Sequence, residues 1–68
     1  MPEFFIGALA KEAGINIETI RYYEKLHLLP KPKRKQDSKY RIYDENDLKR
    51  LSFIKRSKEL GFTLREIK

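Results

Sequence analysis

Three helix starts written in one grammar constrain this chain more than any other feature. Asn16, Asp44 and Thr63 carry side-chain oxygens that can accept from the free N–H groups of a first helical turn. Each follows an apolar residue and has another apolar residue four positions beyond it: Ile15 and Ile20, Tyr43 and Leu48, Phe62 and Ile67. Such a pair brackets a helix entry as a hydrophobic staple. Thr63-Leu64-Arg65-Glu66 adds the pattern of a capping box. One match would say little; three together predict three helices.

Ahead of Asn16, Ile6 to Ala13 reads as a further short helix, stopped by Gly14 in a left-handed conformation. The second helix runs from Asn16 to about Leu26 and ends before Pro30, because proline pushes the residue ahead of it out of helical space. The third runs from about Asp44 to Leu60 and closes at Gly61. The fourth starts at Thr63, and the chain stops in its second turn, which reads as a truncated helix. Between helices two and three, Tyr40-Arg41-Ile42-Tyr43 is β-prone and Gln36-Asp37-Ser38 is polar and turn-like. Two short strands around that turn, within Lys33 to Tyr43, form a hairpin; Phe4 and Phe5 suggest one more very short strand.

Helix, glycine turn, helix and then a basic hairpin is the outline of a winged helix-turn-helix, a mainly α fold with four helices and a small β wing. At 68 residues the chain makes one domain, residues 1–68. Hydrophobic residues at 40% and charged residues at 38% suit a globular domain rather than a disordered tail.

The inventory for catalysis is nearly empty. There is no cysteine, so no disulfide, no thiolate nucleophile and no thiolate metal ligand. His27 is the one imidazole, the first charged residue on either side of it in sequence is a lysine (Lys25 and Lys31), and it reads as a helix-terminal surface residue. Gly7, Gly14 and Gly61 are isolated and make no phosphate loop. The expectation is no enzyme, no metal and no cofactor. No apolar run approaches a membrane span and the N-terminus has no secretory pattern, so a cytoplasmic location without a membrane partner is expected.

Charge points elsewhere. The net charge is +6 with a pI near 9.7, and the stretch from Lys31 to Arg41 sets six cations against Asp37 alone, a net +5 of that total. A concentrated basic segment suits a polyanion such as nucleic acid. On the second helix, Glu18, Arg21, Tyr22 and Lys25 share a polar face, while Ile17, Ile20 and Tyr23 share the other. Arginine can read guanine bidentately or clamp phosphate, and a tyrosine hydroxyl can donate to phosphate. Glu18 must meet a base edge, pair with Arg21 or lie off the contact line. An anonymous amphipathic helix would use such a face only for hydration; its place between a helix-turn unit and a basic hairpin favours DNA. In the hairpin, alternation sets Tyr40 and Ile42 on one face and Arg41 and Tyr43 on the other. Lys31, Lys33, Arg34 and Lys35 are either phosphate contacts or a solvated loop. Lys49, Arg50, Lys55, Arg56 and Lys58 on the third helix read mostly as a hydrated outer surface.

These residues resemble a family. Ile6 to Lys11, Gly14 to Glu24 with its Thr19-Ile20-Arg21-Tyr22-Tyr23-Glu24, Leu28-Leu29-Pro30, Tyr40 to Tyr43, Asp47-Leu48 and Leu60 to Ile67 look like the N-terminal domain of MerR-family bacterial transcriptional regulators. The likeness covers essentially the whole chain. It implies a homodimer in the intact protein whose recognition helices and wings grip double-stranded, palindromic promoter DNA. It also implies bending and undertwisting of an overlong promoter spacer, so that RNA polymerase engages both elements. Arg21 and Tyr22 match the family's recognition-helix contacts, and Tyr40 and Arg41 its wing contacts. Lys39 stands where the family often has glycine, which makes it an extra phosphate candidate. The DNA-binding set is therefore Thr19, Arg21, Tyr22, Lys25, Lys33, Lys39, Tyr40 and Arg41. Family members continue into a dimerisation helix and an effector-binding segment, so a chain of this extent is expected to be mainly monomeric. Two other functions fit the outline: a stand-alone winged helix acting as a recombination directionality factor or architectural protein, and a protein-interaction domain for an acidic partner.

Overall fold

The computed structural model describes residues 3–29, 33–34 and 41–68. Strand β1 (Glu3–Phe4) leads into helix α1 (Ile6–Ala13) and then helix α2 (Ile17–Lys25). Strands β2 (Lys33–Arg34) and β3 (Arg41–Asp44) follow, then helix α3 (Glu45–Glu59) and helix α4 (Leu64–Ile67). This is the expected winged helix-turn-helix arrangement, with a third strand added from the N-terminus.

All three expected caps form. The Asn16 carboxamide oxygen accepts from the Thr19 N–H at 2.7 Å. Thr63 and Glu66 close their capping box, with bonds of 3.2 and 3.0 Å. Asp44 and Asp47 close a second one, 3.1 Å from the Asp47 N–H to Asp44 and 2.9 Å from the Asp44 N–H back to Asp47. Aspartate at the third helical position reaches the same donor that glutamate or glutamine usually serves. Burial, together with the neighbouring Asp44 and Glu24 charges, pushes the Asp47 carboxyl above its ordinary value, against the lowering effect of the Asp44 N–H.

The helix ends share one geometry too. After α1, the Gly14 N–H donates to the Lys11 carbonyl and the Ile15 N–H to the Ala10 carbonyl, with Gly14 at φ 70°. After α3, Gly61 and Phe62 repeat the pair on Lys58 and Ser57. After α2, His27 donates to Glu24 and Leu28 to Tyr23. Each is a Schellman motif. At α2 the left-handed position belongs to His27, at φ 62°, where a glycine would be the cheap choice.

β3 is the centre of a three-stranded antiparallel sheet of order β1-β3-β2. Phe4 lies opposite Tyr43, Lys33 opposite Ile42 and Arg34 opposite Arg41. The first strand sits one residue earlier than Phe4-Phe5 suggests, because Phe5 takes the N-cap position of α1.

Leu9, Ile20, Tyr43, Leu51 and Ile54 are the largest fully buried side chains, so α1, α2, β3 and α3 meet at one core. Ile15 and Leu48 pack against it, completing two of the three expected staples on the core side. Phe62 does not follow: it remains half exposed, while Leu64 and Ile67 turn toward the core edge. Among the described residues no helix is long and apolar enough to cross a membrane.

Candidate nucleic-acid interface

The helix-turn-helix is built around Gly14. Its left-handed backbone lets α2 leave α1 within three residues, and Asn16 then starts α2. A Cβ at Gly14 would stand 2.7 Å from the Lys55 ammonium, which donates to the Gly14 carbonyl at 3.2 Å. The third helix thereby braces the turn from behind.

On α2, Ile20 and Tyr23 are buried and Ile17 is half-buried, so the inward face is the one read from the spacing. Glu18, Arg21, Tyr22 and Lys25 are exposed, as a nucleic-acid-facing side requires. The Tyr22 ring lies 6.3 Å from that of Tyr23, tilted by 45°. Tyr22 also borders an open cleft of about 390 Å³ shared with Leu26, Leu28, Leu64, Arg65 and Lys68. Thr19 is half-buried, and its hydroxyl donates to the Asn16 carboxamide oxygen at 2.7 Å.

Of the wing candidates, Lys33 is placed by its backbone on β2, and Arg41 opens β3. Lys39 and Tyr40 lie outside the described residues, as do Lys31, Lys35 and the turn at residues 36–38. Arg41 is brought to α2 by Glu24: its Nη1 stands 3.7 Å from Glu24 Oε1, with the arginine side chain half exposed and the glutamate only 10% exposed. The other carboxylate oxygen accepts from the Tyr43 hydroxyl at 3.0 Å. Burial first, and then this bond and the Glu24 charge, push the Tyr43 phenol up to about 12. Burial also raises the Tyr23 phenol.

Sequence reasoning passed over Glu24. A signal for it existed: it stands seven residues after Ile17 and four after Ile20, on the inward-facing side of a 3.6-residue helix. A carboxylate there needs a partner, and Tyr43 and Arg41, sharing one strand face, supply it. Two of the five α3 cations do more than hydrate the surface. Arg50 donates through Nε to the Leu28 carbonyl at 3.0 Å, with its guanidinium 5.4 Å from the Phe53 ring centre, and Lys55 holds Gly14. Both tie α3 to segments flanking α2, so they help fix where α2 sits. Among the described residues no cluster of histidine, cysteine or carboxylate could hold a metal ion.

The family model described as "MerR HTH family regulatory protein" matches residues 4–68. The mercuric resistance operon regulatory protein of Bacillus cereus is 55% identical over 65 residues, covering 96% of this chain and 48% of that protein. The HTH-type transcriptional regulator ZntR of Escherichia coli K12 is 44% identical over 63 residues, covering 93% and 44%. This chain thus spans somewhat under half the length of these relatives. Among solved structures, HiNmlR, described as a MerR family regulator lacking the sensor domain and bound to promoter DNA, superposes with a TM-score of 0.86 at 30% identity, covering 97% of this chain and 49% of that one. A transcription regulator from Ralstonia metallidurans in complex with lead(II) superposes at 0.83 with 44% identity, covering 94% and 48%.

Proposed function

The chain belongs to the MerR HTH family of regulatory proteins, and from that premise we propose that it binds double-stranded promoter DNA and serves transcriptional regulation. The observation that carries this reading is the exposed Arg21, Tyr22 and Lys25 on α2, with Arg41 of the wing strand tied to the same helix through Glu24. HiNmlR, a structure of the same fold, is described as bound to promoter DNA. In this reading α2 enters the major groove and α1 crosses the backbone. Arg21 reads a base edge or clamps a phosphate; Tyr22 and Lys25 fix register on the backbone. Thr19 lies at the start of the same helix. Lys33, Lys39, Tyr40 and Arg41 extend the contact along the flanking phosphates. No catalytic group, metal or cofactor enters this account.

In the intact regulator, two copies act as a homodimer on a palindromic promoter. They control transcription by deforming an overlong spacer, which brings both promoter elements within reach of RNA polymerase. The cost of deforming DNA depends on its sequence, so such a device reads sequence at positions that it never touches.

Titration of a fluorescent duplex across salt concentrations tests the binding. With about three to five cations on phosphates per subunit, log K falls against log salt by roughly 0.9 for each. A slope near zero would sink the electrostatic reading, and with it DNA as the partner.

A further inference from the structure

Glu24 is a carboxylate on the recognition helix, beside a face proposed to meet phosphates. Simple electrostatics marks it as a liability, and a neutral residue would repel DNA less. The structure gives it another task. One oxygen accepts from the Tyr43 hydroxyl at 3.0 Å, and the other lies 3.7 Å from Arg41 Nη1. Tyr43 and Arg41 both belong to β3, nineteen and seventeen residues further along the chain, so this one carboxylate connects α2 to the central strand of the wing sheet. Among the described residues Oε1 is buried without a hydrogen-bond partner, so Arg41 holds it by charge rather than by a closed bond. A guanidinium has five donors in a planar fork. With Nη1 turned to Glu24, the Arg41 side chain is still 49% exposed, which leaves donors for a second partner.

We propose that Glu24 is a positioning residue that locks the wing strand to the recognition helix, holding Arg41 so that helix and wing engage DNA as one rigid unit. The proposal rests on the DNA-binding reading above. Its consequence has a sign opposite to that of simple electrostatics. Removing the negative charge leaves affinity for random duplex unchanged or higher, because one repulsion is gone. Affinity for a selected sequence falls, because Arg41 is no longer held in register with Arg21.

The experiment uses the 68-residue chain, a duplex enriched from a random pool by that chain, and a scrambled duplex. Glu24→Gln should lower the ratio of selected to scrambled affinity by about fivefold to tenfold, the scale of coupling between contacting groups. In an Arg41→Ala background the same change should alter the ratio by less than about twofold. Arg41→Lys, which keeps the charge but not the fork, should lower the ratio as well and serves if Glu24→Gln does not fold. A ratio unchanged by Glu24→Gln or by Arg41→Lys overturns the proposal, as does an undiminished effect of Glu24→Gln without Arg41. A readout without DNA separates this from the underlying reading. The Arg41 guanidinium resonances should shift in Glu24→Gln, and an unmoved signal overturns the pairing even if the wild type binds DNA. A shifted signal in a protein that binds neither duplex would keep the pairing and overturn both its positioning role and the DNA reading.

Discussion

The Lys55 ammonium donates to the Gly14 carbonyl across 3.2 Å, joining two residues forty-one positions apart at the pivot of the helix-turn-helix. A cation at the end of α1 also faces the negative pole of that helix. Gly14 itself sits at φ 70°.

Gly14→Ala is therefore expected to destabilise the domain. The left-handed conformation costs an L-residue about 1–2 kcal/mol. The new Cβ would also crowd the Lys55 ammonium at 2.7 Å, but that is the free end of a long side chain and can swing aside. The backbone conformation accounts for most of the loss. Thermal unfolding should show a midpoint lower by about 5 °C or more, given 4–8 °C per kcal/mol for a domain of this size. An unshifted midpoint would mean that the turn relaxes without strain.

His27→Gly should act in the opposite direction. His27 holds the left-handed position of the Schellman motif after α2, and glycine adopts φ 62° without penalty. The exposed imidazole contributes nothing to the core. A gain of about 1 kcal/mol, partly offset by the greater freedom of glycine in the unfolded chain, is the expected result of urea denaturation. Loss of stability would show that the histidine side chain makes an unrecognised contact.

Tyr43 sets the alkaline limit. Its phenol is raised from 10 to about 12, so the folded state holds the proton more tightly than the unfolded state does. The associated stability is fully present below pH 10 and is lost as pH rises through about 12. A shift of this size corresponds to about 2–3 kcal/mol. Burial raises the Tyr23 phenol in the same direction. Tyr43→Phe should flatten much of this alkaline decline. At neutral pH it should cost about 1–3 kcal/mol, because the part-buried Glu24 carboxylate loses a donor. Melting temperatures across alkaline pH, compared between wild type and variant, check both statements.

On DNA, Arg21→Ala should weaken a selected sequence more than a random duplex, by on the order of 1–3 kcal/mol for a lost bidentate base contact. Lys33→Ala should weaken both about equally, since a residue on β2 most simply meets phosphate. Paired titrations decide, and equal losses for Arg21→Ala would move that residue from base reading to backbone clamping.

What was legible in the sequence is local. Asn16, Asp44 and Thr63 cap helices because the donors they satisfy lie three residues away. Gly14 and Gly61 end them for equally local reasons, and the inward face of α2 follows from its period. The parts that escaped are joined across the fold. Glu24 meets Tyr43 nineteen residues on, Arg50 meets Leu28 twenty-two residues back, and Lys55 meets Gly14 over a still longer span. Each is a polar side chain whose meaning depends on which helix packs where, and spacing along one helix carries no such information. His27 escaped for another reason: its left-handed backbone belongs to a motif in which glycine is the expected signal.

Thr19 spends its only hydroxyl proton on Asn16, 2.7 Å away, inside the cap that starts the recognition helix. What remains is a pair of oxygen lone pairs and a methyl group. Phosphate oxygens are themselves acceptors, so Thr19 has nothing to offer them while the cap is intact. On the DNA-binding reading proposed above, a direct contact from Thr19 would therefore be to a base edge: its oxygen could take an N–H from an adenine or cytosine amino group, or its methyl could pack on that of thymine. A bond that looks purely architectural thus decides which chemical edge of a base pair this position can recognise.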